Sequence, residues 1–116
     1  MPSATTLDLL AGGWRNLPFE HFREGVQVHW LARGGEGEPS VAILKYQPGA
    51  SVPFHRHAGL ETIMVLEGTQ SDESGPYGEG AFVLNAKGTE HSVWSKDGCV
   101  VLIQWDLPVI LIGEGR

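Results

Sequence analysis

Cysteine and positive charge are both scarce in this sequence. Its 116 residues include one cysteine, and 8 lysines and arginines stand against 14 aspartates and glutamates, which gives a formal net charge of -6. A single cysteine excludes an intrachain disulfide. A surface of net negative charge repels phosphate backbones. We therefore expect no nucleic acid as a direct partner.

Long apolar runs and targeting signals are also missing. No stretch reaches the roughly 20 apolar residues that a membrane-spanning helix needs. The first residues, MPSATTLDLLAGG, have neither the basic start nor the apolar run of a signal peptide. These absences predict a cytoplasmic protein with no membrane partner.

Glycine and proline are abundant instead, with 16 and 7 residues. Short apolar segments such as Val26–Leu31, Val41–Tyr46 and Cys99–Trp105 are separated by turn signals. Short strands at a spacing of about 8–12 residues predict a sandwich or barrel. The length fits one domain with one core. We expect an N-terminal arm or edge segment over residues 1–24 and an all-β barrel over residues 25–116.

One stretch, GASVPFHRHAGLETIMVLEG from Gly49 to Gly68, carries the clearest chemical signal. It places His55, His57 and Glu61 in the pattern G-x5-H-x-H-x3-E-x6-G. Side chains two apart on a strand share a face, so both imidazoles can point at one place, and a short turn returns the carboxylate beside them. Chance gives this pattern roughly once per million starting positions. The pattern indicates a divalent metal site.

A second stretch, GAFVLNAKGTEHSVWS from Gly80 to Ser95, contributes His91. The two stretches resemble the motifs of the cupin family, and the second departs from its motif at Ala86 and Ser95. The sequence that runs from the first motif into the second is similar to cupin domains of the anti-sigma factor ChrR type. The similarity is carried by the patterns E-x-x-x-V-L-E-G, S-D-E-x-G-x-Y and G-x-x-H. The resemblance implies a single-domain double-stranded β-helix, the jelly-roll barrel of cupins, with a pocket for a small molecule.

The expected ligands are thus His55, His57, Glu61 and His91, which hold one divalent transition metal per chain. Imidazole and carboxylate suit zinc, iron, manganese, nickel or cobalt, and the sequence does not choose among them. In octahedral geometry one or two positions stay open for dioxygen or a substrate, whereas zinc can close a tetrahedron with the same four ligands.

Further residues are expected around the metal. Gln104 lies on the last long strand, on the face opposite Ile103 and Trp105, and we expect it to project into the pocket. Aromatic and sulfur side chains are expected in the pocket wall: Tyr46, Phe54, Met64 and Phe82.

Three functions remain open from the sequence. The first is a metal-dependent enzyme acting on a small molecule, such as a dioxygenase or another oxidoreductase. The second is a non-catalytic ChrR-like module that senses a metal or a ligand. The third is a sandwich in which the metal only stabilises the fold. A fold of this kind hosts many chemistries, so the choice among the three functions has to rest on the residues of the site.

A homodimer is expected as well. The segments Thr62–Leu66 and VVLIQWD at the end of the last long strand are apolar on both faces. That is more apolar surface than one small domain needs for its core. The excess predicts that Thr62–Leu66 is covered on both sides or lies at a dimer contact.

Overall fold

The computed structural model describes residues 6–112, and this part of the chain is built from eleven β-strands. They are β1 (Glu20–Arg23), β2 (Val26–Ala32), β3 (Ser40–Tyr46), β4 (Ala50–Arg56), β5 (Glu61–Gly68), β6 (Gln70–Asp72), β7 (Gly75–Tyr77), β8 (Phe82–Asn85), β9 (Glu90–Ser95), β10 (Cys99–Trp105) and β11 (Ile110–Leu111). The predicted strands at 26–31, 41–46 and 99–105 are found as β2, β3 and β10. Over the same residues, no helix is long and apolar enough to cross a bilayer.

The strands form two antiparallel sheets. One has six strands in the order β1-β2-β3-β10-β5-β8, and the other has five in the order β11-β4-β9-β6-β7. Strand β10 pairs with both β3 and β5, which places the last long strand at the centre of the larger sheet. This double-sheet arrangement confirms the all-β, single-domain jelly-roll prediction.

The main core lies between the two sheets and follows strand alternation. Inward residues at every second position are buried, as with Val101 and Ile103 on β10 and Ile63 and Val65 on β5. Cys99 also belongs to this core, and burial raises the pKa of its thiol to about 11. The cysteine is therefore a small buried apolar residue, as its position in an apolar strand predicts.

A second apolar cluster lies on the outer face of the six-stranded sheet. Trp14, Ile43 and Val100 are buried there. Leu7, Leu9, Leu17 and Phe19 of the N-terminal segment pack against them, together with Leu31, Leu66 and Leu102 from the sheet. The chain's own N-terminal segment thus covers part of the outer face, which accounts for the apolar character of the strands on both sides.

Gly68, the last residue of the first motif, is needed for backbone reasons. Its φ is +77°, in the left-handed region that favours glycine. A Cβ atom there would lie 2.3 Å from the Gly98 carbonyl oxygen. Only glycine lets β5 leave the six-stranded sheet at this close approach.

Candidate metal centre

The three motif histidines meet inside the barrel through the pairing of β4 with β9. His55 and His91 are direct cross-strand partners. His57 follows the end of β4, and its backbone N–H donates to the Thr89 carbonyl at 2.9 Å. The ring centroids lie 4.7 to 5.1 Å apart, and all three rings are buried. One nitrogen from each ring lies within 4.8 Å of the others, a spacing that could hold a metal ion.

Each ring is oriented by an acceptor at its Nδ1 atom. The acceptors are the Pro53 carbonyl for His55 at 2.8 Å, the Thr89 carbonyl for His57 at 2.9 Å and the Asp72 carboxylate for His91 at 3.0 Å. Carbonyls and carboxylates only accept hydrogen bonds, so Nδ1 carries the proton in each ring. The lone pair for a metal is therefore on Nε2.

Asp72 is itself held by two donors. The Tyr77 hydroxyl and the Ser74 backbone N–H both donate to its Oδ1 at 2.8 Å. Burial alone would raise the pKa of Asp72, but the hydrogen bonds from Tyr77, Ser74 and His91 hold it below its usual value. The carboxylate stays charged and fixes the orientation of the His91 ring through Nδ1, on the side away from Nε2.

Glu61 stands beside the three histidines at the start of β5. Its side chain is buried, and Oε1 accepts from Asn85 Nδ2 at 3.0 Å and lies 3.3 Å from His57 Nε2. Burial lowers the pKa of His57, but the Glu61 carboxylate and the Thr89 carbonyl outweigh it, and the pKa is raised. An Nε2 lone pair facing a carboxylate oxygen is unfavourable unless a proton or a metal ion lies between the two atoms.

The buried polar atoms fit a metal. Nε2 of His57 and Nε2 of His91 are both buried and have no hydrogen-bond partner within the described part of the chain. Leaving such atoms unpaired in an apolar interior costs free energy. A divalent ion satisfies both at once and is matched by the imidazole and carboxylate donor set.

A cavity of about 220 Å³ opens onto this group, with His55 and Glu61 in its wall. Phe22, Trp30 and Trp105 also line it, with ring centroids 5.9 to 6.0 Å apart. Of the residues expected in the pocket, Tyr46 is found in the wall. The site therefore adjoins a space that can admit a small molecule.

Gln104, Met64 and Phe82 were expected in the pocket, and the structure places them elsewhere. Gln104 is exposed, and Phe82 is 63% exposed on the outer face of the six-stranded sheet. Met64 pairs with Phe82 across β5 and β8 and shares that face. The prediction for Gln104 is wrong because it is the alternate residues, Ile103 and Trp105, that point into the barrel. Gln104 consequently points outward.

Phe54 is also outside the cavity wall, for a different reason. The pairing of β4 with β9 shifts register between Val52 and His55, a β-bulge. Val52 and His55 are both buried although they are three residues apart, whereas Phe54 is half-buried. A bulge changes which residues share a face, and it brings His55 and His57 inward in place of Phe54.

Asp72 and Tyr77 are site residues that sequence reasoning passed over. They lie in SDESGPY, whose Ser, Asp and Gly content is typical of a turn. The signal was present in the S-D-E-x-G-x-Y resemblance, which named the residues without giving them a role. Asn85, the hydrogen-bond partner of Glu61, had no comparable signal.

The Asp72 contact predicts a measurable effect on metal affinity. We expect Asp72→Ala to weaken metal binding about 10–100-fold, because His91 loses the acceptor that fixes its ring. Tyr77→Phe should weaken it less, since only a donor to Asp72 is lost. Competition with a chromophoric chelator gives the affinities, and Asp97→Ala, at an exposed carboxylate, is the control. Equal affinity for the Asp72 variant and the control would contradict the role given to His91.

Comparison with known proteins identifies related sequences and folds. The family profile described as the ChrR cupin-like domain matches residues 11–106. The anti-sigma-E factor ChrR of Cereibacter sphaeroides is 35% identical over 88 residues, which cover 73% of this chain and 40% of that protein. The crystal structure of Rhodobacter sphaeroides SigE in complex with the anti-sigma ChrR aligns with a TM-score of 0.68 at 28% identity, covering 78% of this chain and 49% of that one.

A likeness in fold alone extends to enzymes. An acetylacetone dioxygenase from Acinetobacter johnsonii aligns with a TM-score of 0.74 at 17% identity, covering 84% of this chain and 74% of that one. The chain spans less than half the length of the ChrR proteins that it matches. Similarity to them therefore concerns one part of those proteins.

Proposed function

The chain belongs to the ChrR cupin-like domain family, and on that premise we propose that it holds one divalent transition metal and uses it on a small molecule. His55, His57 and His91 are the metal ligands through Nε2, and Glu61 is the fourth ligand. Zinc, iron, manganese, nickel and cobalt all suit this donor set. The observation that carries the proposal is the pair of buried Nε2 atoms, on His57 and His91, that have no hydrogen-bond partner among residues 6–112.

A metal site that opens onto a cavity favours a catalytic role for the metal over a purely structural role. His55 and Glu61 belong both to the proposed ligand set and to the cavity wall, so a metal held by them would be accessible from the cavity. Closed four-ligand zinc sites are typical of structural metals, whereas catalytic sites keep a position for water or substrate. We therefore propose an oxidoreductase of the dioxygenase type.

The chain's own residues bind and enclose the substrate. A bound metal supplies Lewis acidity and, if it is iron, the redox chemistry that dioxygen requires. The apolar wall formed by Leu44, Val52, Ile63, Val93 and Ile103 keeps water away from a substrate beside the metal. The acceptors at Nδ1 keep the three histidines in one orientation throughout.

Oxygen consumption tests the enzyme proposal. Protein purified without air is loaded with ferrous iron, and dioxygen uptake is followed with 2,4-pentanedione and related β-diketones. We expect dioxygen uptake to require both iron and diketone. Glu61→Gln should reduce the rate of uptake. His21→Ala, at an exposed histidine away from the site, should retain full uptake. Uptake no faster with protein than with free iron would contradict a dioxygenase.

A second candidate function is a non-catalytic sensing module, favoured by the 35% identity to an anti-sigma factor. In that case the cavity binds a ligand, and the metal holds the ligand without turnover. The expected signature is zinc bound as purified and a ligand-dependent rise in melting temperature without any product. Product formation with the same ligand would exclude it.

We also propose that the protein is a homodimer through the outer face at the free edge of the six-stranded sheet. Phe82 and Leu84 on edge strand β8 are 63% and 62% exposed, next to Met64. Exposed apolar side chains on an edge strand that is paired on one side only favour association with a second copy.

This surface gives a prediction for the oligomeric state. We expect light scattering at micromolar concentration to give a dimer for the wild type and a monomer for Phe82→Ser combined with Leu84→Ser. Metal content should not change, because neither residue touches the histidines. Leu10→Ser, at another exposed apolar position, should remain dimeric. A monomeric wild type would contradict the proposal.

A further inference from the structure

The cavity has a second polar region away from the histidines. Arg23, Gln70 and Tyr46 line it, and none of them is a metal ligand in the proposed function. Gln70 is 3% exposed, and its buried Nε2 atom has no hydrogen-bond partner of good geometry among residues 6–112, although it lies close enough to the Tyr46 hydroxyl to lower that group's pKa. Arg23 Nε is likewise buried without a hydrogen-bond partner in this part of the chain. Two unpaired donors in one cavity are costly unless a ligand pairs with them.

Strand register separates this region from the metal. Strand β10 runs along the cavity, with Cys99 opposite Tyr46 at one end and Trp105 opposite Glu61 at the other. Arg23 pairs with Val26, which in turn pairs with Tyr46, so Arg23 belongs to the Tyr46 end. Gln70 follows Gly68, which pairs with Cys99, and so it lies at the same end. The cavity therefore has donors at one end and the metal ligands at the other.

The groups at the donor end favour an anion. The Arg23 guanidinium has no carboxylate partner within residues 6–112, and its nearest aromatic contact is the Phe22 ring at 5.2 Å. Tyr46 is buried, and desolvation together with the charges of Cys99 and Glu61 raises its pKa, although Arg23 and a hydrogen bond from Gln70 act in the opposite direction. The hydroxyl stays protonated, so it can accept from Gln70 and still donate its own proton to a ligand. A guanidinium N–H, an amide N–H and a phenol O–H together match the acceptor oxygens of a carboxylate.

We propose that the ligand of this cavity is a small carboxylic acid whose carboxylate binds Arg23, Gln70 and Tyr46. Its apolar body lies against Leu44, Ile63 and Ile103, and an oxygen at its other end reaches the metal. The loop residues Gly34, Gly35 and Glu38 line the cavity beyond Ser40, which pairs with Trp105 at the metal end. A ligand that enters past this loop places its carboxylate at the Tyr46 end, and its reactive end stays beside the histidines. This inference rests on the proposed function for the metal-binding end alone.

Matched pairs of probes test the carboxylate end. The acids 4-oxopentanoate and 5-oxohexanoate are compared with their methyl esters, which keep the ketone and the apolar body but remove the charge. We expect calorimetry on the zinc-loaded protein to give acids binding about tenfold or more tighter than the esters. Arg23→Met should remove that difference by weakening the acids about tenfold and the esters much less, with zinc content unchanged. Gln70→Leu should partly reduce the difference in affinity between acid and ester. This second variant tests the carboxylate end even if the Arg23 variant does not fold.

The outcomes separate this inference from the metal proposal. If metal-free protein still binds the acids in an Arg23-dependent way, the carboxylate end stands even where metal binding fails. If zinc loads normally but the acids bind no more tightly than the esters, the carboxylate end is wrong and the metal centre stands. Equal weakening of acid and ester by Arg23→Met would show that Arg23 only supports the fold. Failure of the acids to bind at millimolar concentration would also overturn the inference.

Discussion

Replacing His55 and His57 together with alanine is expected to abolish metal binding. The wild type should carry about one transition metal per chain, because one ring nitrogen from each of three histidines lies within 4.8 Å of the others, beside the Glu61 carboxylate. Two of the four ligands are lost in the double variant, and His91 and Glu61 alone do not define a site. Elemental analysis after dialysis gives the occupancy, and single alanine variants of the four ligands should show intermediate losses.

The same variant should lose the stability that the metal provides. A ligand that binds only the folded state stabilises it by about 4 kcal/mol at a concentration a thousand times its dissociation constant. Adding zinc should therefore raise the melting temperature of the wild type and of the control His21→Ala, but not that of the double variant. Near-complete metal occupancy in the double variant would show that other residues are the ligands.

Trp14→Ala is expected to have the largest effect on the metal-free fold. Trp14 is 4% exposed and packs with Ile43 and Val100 on the outer face of the larger sheet. Removing a buried tryptophan side chain typically costs about 3–5 kcal/mol, a large share of the ~5–15 kcal/mol that stabilises a small domain. The Arg15 guanidinium over the Trp14 ring, at 4.4 Å, adds little because Arg15 is exposed.

Urea denaturation measures this effect as a shift of the midpoint at constant slope. Leu10→Ala is the matched control, since Leu10 lies in the same segment but is 94% exposed, and its effect should stay within about 0.5 kcal/mol. A Trp14 variant as stable as the control would mean that residues 7–19 are a dispensable arm. The expected loss would instead make residues 7–19 part of the folded unit, within the N-terminal arm or edge segment that the sequence predicts over residues 1–24.

The position of the histidines could be predicted because the relation is local. His55 and His57 are two residues apart, and residues with this spacing share a face of a strand without any knowledge of the rest of the fold. Turn signals between short apolar segments were equally local, which is why β2, β3 and β10 were predicted at nearly the observed bounds. The jelly-roll class followed from those strands and from the cupin resemblance.

The facing of other residues could not be predicted, because it depends on contacts between distant strands. Alternation separates Gln104 from Ile103, but only packing against the second sheet decides which of the two points inward. The bulge before His55 is invisible in the sequence and moves Phe54 out of the cavity. Arg23 and Gln70 are forty-seven positions apart and meet only through the register of β1 and β6 with their neighbours.

The link from Tyr77 through Asp72 to His91 also has a kinetic consequence. Asp72 and Tyr77 lie on the paired three-residue strands β6 and β7, the outermost hairpin of the five-stranded sheet. Short hairpins at a sheet edge open more often than central strands. Each opening frees the His91 ring to turn away. His55 stays fixed on β4, and His57 stays fixed by its hydrogen bonds to Thr89. For a metal bound as proposed, we expect the lifetime of the ion to follow how often this hairpin opens, and amide exchange at Ser74 to slow when the ion is bound.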